Sequence, residues 1–467
     1  MKKKVLLALL CGSLSMGVLT ACGGGQETAV EEAAAEEEVA ETAEEAPEEA
    51  APEEEAYDYA SQMELAKQYL EEEDQGGDYA KASELAQEMI AKGYAEGYYI
   101  EAEIAYDEGN YETALENYNK ALDGTDDAIL GSAMNVIGYC YLHGEGVEVD
   151  YAKAVELFEK GAEKGSEEAY VNLAYSYEEG LGVEKDYEKE KEILEKLIDQ
   201  GTTVGDAYNN LGAMYDNGSG VEVDYAKAME LYEKAAELGS EMAYRNIGAL
   251  YLNGLGVELD IAKGLEWLEK GYELGKGRAG QFAYDIGIWY EYGSDNGLKS
   301  DFAKAKEWYE KAIECGNTDA MVNLGNMYQY GDGVAQDSAK AMEYYEKCAQ
   351  AGDASGYYAI GMMYEYGSGV EQDGAKAIEY YEKGVQTGDP SGYSFIGMMY
   401  EYGSGVEQDG AKAMEYYEKC AQAGDPSGYY AIGMMYENGS GVEQDAEKAA
   451  EWYAKEEEAW AAQEQEK

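Results

Sequence analysis

Residues Ala207–Gly239 read AYNNLGAMYDNGSGVEVDYAKAMELYEKAAELG. Tyr208, Leu211, Gly212 and Tyr215 fall at i, i+3, i+4 and i+7, the apolar stripe of a helix. Asn217-Gly218-Ser219-Gly220-Val221 then breaks it, because glycine readily takes the left-handed conformation that a helix end needs. Asp224 is a good N-cap for a second helix. That helix places Ala228, Met229, Tyr232 and Ala235 on one side and Glu230, Glu233, Lys234 and Glu237 outside, and Gly239 closes it. A glycine inside a helix costs about 1 kcal/mol relative to alanine. Gly212 therefore signals the close approach of a neighbouring helix.

The same text recurs along the chain. The small residue at the Gly212 position runs Gly138, Ala174, Gly212, Gly248, Gly287, Gly325, Gly361, Gly397 and Gly433, at intervals of 36–39 residues. The last three copies are nearly identical, and the extra residues at Thr202-Thr203 and Ser294-Asp295-Asn296 fall between helices. No segment shows sustained period-2 alternation. A fixed period of this length decides the fold: all-α, a solenoid of antiparallel helix pairs.

The pattern A-x-x-x-L-G-x-x-Y-x-x-G-x-G-V-x-x-D-x-x-K-A stands almost intact in Ala320–Gly352, apart from Ala335 and Cys348. It closely resembles the Sel1-like repeat, a relative of the tetratricopeptide repeat. The resemblance covers residues 132–455 as nine units and implies a right-handed α-solenoid. The second unit departs, with Ala174 for glycine and Lys191-Glu192-Ile193 for the K-A-x pattern, so looser or shifted packing is expected there. The fifth has Gly293-Ser294-Asp295-Asn296-Gly297-Leu298 in place of G-x-G-V. Residues 57–131 look like degenerate tetratricopeptide-like units, and residues 456–467 like a polar C-terminal tail.

Residues 1–21 read as a secretory signal peptide: Lys2–Lys4, then an apolar run from Val5 to Leu19, short of the ~20 residues a membrane span needs. Leu19-Thr20-Ala21-Cys22-Gly23 resembles the bacterial lipobox. That resemblance implies a diacylglycerol on Cys22, cleavage just before it, and anchoring to the outer face of a bacterial cell membrane, or to the outer membrane of a two-membraned cell. Plain secretion is the alternative. Residues 23–56 hold 14 Glu and no basic residue, so the stretch from the lipidated Cys22 to residue 56 reads as a disordered acidic Ala/Glu tether.

With 34 Lys+Arg against 98 Asp+Glu, the formal charge is −64, which excludes nucleic acid as a partner. Cys140, Cys315, Cys348 and Cys420 read as small core or helix-end residues, and no zinc spacing occurs. The single histidine, His143, ends a first helix without convergent partners. The S-x-x-K acylase motif is absent. The G-x-G-V turns, such as Gly367-Ser368-Gly369, lack the preceding strand and following Lys-Ser/Thr of a phosphate loop. No EF-hand loop is present. No catalytic residue, metal or cofactor is expected.

What remains is surface. In the related helix-pair families the first helices line the concave side, at positions three before and one and five after the recurring glycine. Here those positions hold Tyr358, Met362 and Tyr366, then Met398 and Tyr402, then Tyr430 and Met434, with Glu365, Glu401 and Glu437 alongside. Earlier units carry Asn209, Arg245 and Asn253. Some of these would instead be core. The expected function is an envelope-anchored scaffold for a protein or peptide partner, a cationic one by charge. The alternatives are a peptide or glycan receptor, with a pocket lined by Tyr and Trp267, Trp289 or Trp308, and a cell-wall or β-lactam-acting enzyme.

Overall fold

The computed structural model describes residues 57–71, 78–275, 277–293 and 298–466. The proposed signal peptide, Cys22 and the tether to residue 56 lie outside the described residues. Among the described residues there are 22 α-helices and no strand, an all-α repeat array. The described residues form two compact units, which divide between Val223 and Asp224. In the first, helices run from Tyr59–Glu71 to Gly205–Asn217; in the second, from Tyr225–Glu237 to Ala446–Glu466. The division falls inside the repeat at Ala207–Gly239 and has no marker in the sequence.

The pair Thr318–Tyr330 and Ser338–Gln350 shows how local chemistry makes a repeat. Gly331, at φ 80°, stops the first helix with its N–H on the Met327 carbonyl. The chain returns so that the Asp337 N–H donates to the Tyr328 carbonyl at 2.8 Å. The Asp337 carboxylate then accepts from the Lys340 N–H and caps the second helix. Asp150, Asp186, Asp260, Asp373 and Asp409 cap their helices in the same way.

The recurring glycine is required by a ring. A Cβ on Gly287, Gly361, Gly397 or Gly433 would lie 2.5 Å from Cε1 of Tyr309, Tyr381, Tyr417 or Tyr453 on the second helix of the same repeat. In the second repeat Ala174 stands where the others have glycine, and Leu194 stands where the others have Tyr or Phe, or Leu268 in the fourth; both are fully buried. The smaller partner accommodates the methyl group. The disturbance expected in this repeat lies elsewhere. Glu190 sits where seven of the other repeats bury Ala154, Ala228, Ala305, Ala341, Ala377, Ala413 or Ala449 and the fourth buries Gly264; it is 2% exposed, and its Oε2 has no hydrogen-bond partner.

The protein has 47 Tyr and 4 Phe, and the packing shows why. Second-helix tyrosines bury their rings and donate their hydroxyls to first-helix carboxylates: Tyr381 to Glu365 at 2.7 Å, Tyr417 to Glu401 at 2.8 Å and Tyr453 to Glu437 at 2.7 Å. Tyr309 donates to Glu291 in the same manner. A second layer stacks first-helix Tyr on second-helix Tyr, with lysines above and below. Tyr328 and Tyr344 lie 5.9 Å apart at 8°, with Lys340 over one ring at 4.2 Å and Lys347 over the other at 5.0 Å. Lys376–Tyr364–Tyr380–Lys383 and Lys412–Tyr400–Tyr416–Lys419 repeat the stack. Phenylalanine could not donate to the carboxylates of the first layer.

Candidate functional site

In the last turn of the first helices Ala279–Tyr292, Ala354–Tyr366 and Ser391–Tyr402 two neighbouring positions diverge. Four residues after the glycine, Glu291, Glu365 and Glu401 each accept from a second-helix tyrosine, Glu365 at 5% exposure. Five residues after it, the side chain faces out. In four consecutive repeats of the second unit this residue is tyrosine: Tyr292, Tyr330, Tyr366 and Tyr402, exposed by 54, 55, 53 and 71%. Each stands beside a carboxylate. Partial burial raises the Tyr366 and Tyr402 hydroxyls, and Glu365 and Glu401 add to the effect; Tyr330 is raised by partial burial and by Asp332. Glu291 neighbours Tyr292. A phenol, with an ordinary value of about 10, is a neutral donor at physiological pH, and the shifts at Tyr330, Tyr366 and Tyr402 run further in that direction.

This register repeats in the sequence as it does in the structure. Nine consecutive segments match the Sel1 repeat: residues 131–166, 167–201, 205–240, 241–276, 281–317, 318–353, 354–389, 390–425 and 426–455. The chain belongs to the Sel1 repeat family. Such repeats typically serve as protein-interaction scaffolds. Among solved structures it is similar to a protective antigen of uropathogenic Escherichia coli strains displaying an SLR fold, at 28% identity over 88% of each chain with a TM-score of 0.41. A Sel1 repeat protein from Oxalobacter formigenes is 32% identical over 54% of this chain and 98% of that one, with a TM-score of 0.44. No curated protein matches the chain.

Across these Sel1 repeats the residues singled out from sequence do not share one environment. Tyr358 is a correction: it is 3% exposed and belongs to the core. Its ring packs on Phe395 at 5.1 Å, and its hydroxyl donates to the Asp389 carbonyl and accepts from the Gly392 N–H. The following repeat therefore covers it, and Gly384 and Gly392 leave the room for its ring. Tyr430 has the same register but lies in the last matched repeat and is 49% exposed. Met362, Met398 and Met434 are half-buried, with Met362 and Met398 packed against core clusters. Glu365 is buried, Glu401 half-buried and Glu437 exposed. Of the seven ladder residues, Tyr366, Tyr402 and Tyr430 are exposed. Sequence reasoning missed Tyr292 and Tyr330, which the same glycine-plus-five register would have found.

Cys140, Cys348 and Cys420 are buried, and Cys315 ends the helix Phe302–Glu314, as small core and helix-end residues do. Burial pushes the Cys348 thiol up to about 12 and the Cys420 thiol up to about 11, which makes both poor nucleophiles. His143 closes the helix Asp127–His143 and lies against Tyr139 at 4.2 Å. An open cleft of about 500 Å³ is bordered by Leu259, Ile261, Leu265, Glu266, Tyr290 and Lys304; Trp267, Trp289 and Trp308 do not line it.

Proposed function

We propose that this Sel1 repeat protein is an extracytoplasmic binding scaffold, held to the bacterial envelope by a lipid on Cys22 and lifted from it by the acidic segment of residues 22–56. It captures a cationic protein or peptide. The observation that carries this reading is the row of outward tyrosines, each with a carboxylate at its side, on a chain of charge −64. An acidic field raises the encounter rate with cationic partners, and aromatic side chains supply the uncharged contact. Among the described residues, the thiols and the histidine are buried or placed at a helix end rather than gathered around a shared cavity.

Two measurements test it. Cys22→Ser is expected to move the protein from the membrane fraction to the soluble fraction, or to leave an unprocessed precursor of lower mobility. Unchanged partition and mobility would end the lipid assignment. Affinity capture from the extracellular proteome, compared with Tyr366→Ala/Tyr402→Ala at 0.15 M salt, is expected to lose a specific basic partner. Capture that is identical in both proteins and vanishes on adding modest salt would reduce the effect to ion exchange. Mutation-sensitive turnover of peptidoglycan or a β-lactam would replace the scaffold with an enzyme.

A further inference from the structure

The turn between the two helices of a repeat closes on the repeat before it. A Cβ on Gly182, Gly220, Gly256 or Gly333, the second glycine of the turn, would collide with Tyr151, Tyr187, Tyr225 or Phe302, the first residue of the preceding second helix. The fifth repeat has Gly293-Ser294-Asp295-Asn296-Gly297-Leu298 in place of that turn. Its Gly293 folds back on Leu298 and Ser300. Ile261, the first residue of the preceding second helix Ile261–Glu273, borders an open cleft of about 500 Å³ instead. The cleft thus has a cause in the sequence, and it lies wholly within the second unit.

Its chemistry is uneven. Leu259, Ile261, Leu265 and Leu298 give it an apolar floor, with Asp260, Glu266 and Glu269 around it. Asp260 accepts from the Lys263 N–H and caps its helix, and Glu266 pairs with Lys270 at 2.8 Å. Glu269 is half-buried and enters no ion pair among the described residues. Lys304, the basic residue on the border, lies over the Tyr290 ring at 4.7 Å. Ile261, Leu265 and Glu269 follow at intervals of four on one helix face, so Ile261 and the Glu269 carboxylate are about 12 Å apart along the axis. We propose that this cleft binds a small organic cation, an amine or guanidine carried on an apolar body roughly two helical turns long. The body lies on Leu259, Ile261, Leu265 and Leu298, and the cationic group meets Glu269. A volume of this size is that of small-molecule sites, which join an apolar lining to a few placed polar groups. Burial of the body drives binding, and the charge sets specificity. An anion meets three carboxylates against one ammonium, and a neutral molecule leaves Glu269 without a counter-charge. The chain's charge of −64 concentrates cations around the cleft. The site shares no residue with the row of outward tyrosines, so it stands or falls independently of the scaffold reading.

The test titrates the full chain with 4-phenylbutylamine, and with 4-phenylbutanol and 4-phenylbutyrate as its neutral and anionic counterparts, at pH 7 and 0.15 M NaCl. Binding is read by saturation-transfer NMR on the small molecule. The amine is expected to bind at least tenfold more tightly than either counterpart. Glu269→Gln should weaken the amine about tenfold and leave the alcohol within about twofold. Ala262→Trp, an exposed substitution on the border that fills the cleft, should remove binding of both. Glu233→Gln is the control. Glu233 has the register of Glu269 in the third repeat, where the Gly256 turn closes on Tyr225, and its variant should bind like wild type. Circular dichroism reports whether each variant keeps its helix content; should Ala262→Trp unfold, the two glutamine variants still decide. No binding of the amine, equal binding of the three probes, a Glu269→Gln protein that binds the amine like wild type, or a Glu233→Gln protein weakened as much as Glu269→Gln would each overturn the site. Capture of a basic partner through Tyr366 and Tyr402 is decided by its own experiment, so either reading can fail alone.

Discussion

Glu190→Ala is expected to stabilise the first unit, and by more as the pH rises. Glu190 lies at a position that other repeats fill with buried alanine, and its Oε2 has no partner. Burial, with the charges of Glu178 and Glu179 added and Lys185 opposing, raises its pKa to about 8. The unfolded chain titrates this group near about 4.3. The folded state therefore holds a proton that the unfolded state releases. The stability Glu190 allows is complete below the unfolded value and falls as pH rises toward 8. One pKa unit is about 1.4 kcal/mol. Partial access of water to the carboxylate reduces the full shift to a gain of about 2 kcal/mol for alanine at pH 8, or about 4–8 °C in melting temperature for a unit of this size. Melts of wild type, Glu190→Ala and Glu190→Gln at pH 5 and pH 8 check it. A difference that stays constant between the two pH values would show that Glu190 is not the group responsible.

Tyr381→Phe is expected to cost about 2 kcal/mol, although it removes one oxygen from a core that stays filled. Tyr381 is fully buried, and its hydroxyl donates at 2.7 Å to Glu365, which is itself 5% exposed. Without that donor, a desolvated carboxyl group loses a buried hydrogen bond. The loss should appear in hydrogen exchange across Ala354–Tyr366 and Gly374–Gln386 before distant repeats open. Tyr381→Phe/Glu365→Leu should recover most of it, since removing both partners leaves no orphan. A Phe variant as stable as wild type would show that the bond contributes nothing net.

These two sites mark what the sequence reveals. The caps at Asp337 and Gly331 were legible because each acts within one turn of its own chain. The glycine at position 361 was legible as a close approach, though the approaching group is the Tyr381 ring of the same repeat. Environments set by the next repeat were not. Tyr358 and Tyr430 occupy one register in nearly identical text, yet one is sealed by Gly392 and Asp389 and the other is half exposed. Periodicity states which way a side chain points and not what is stacked over it. Glu190 was signalled only indirectly, by a broken K-A-x pattern, because burial of a carboxylate depends on three-dimensional surroundings.

The lysine–tyrosine stacks carry a consequence for the lifetime of the molecule. Lys340, Lys376 and Lys412 lay their ammonium groups over rings within helical pairs. A trypsin-like protease needs such a side chain free, in an extended segment that enters its cleft. Here the basic residue is occupied and its peptide bond is wound into a packed helix, so cutting must wait for local opening. Residues 23–56 contain no Lys or Arg at all. The acidic stretch thus offers such a protease no cleavage site, and at the stacked lysines of the repeat body cutting is delayed until the helix pair opens.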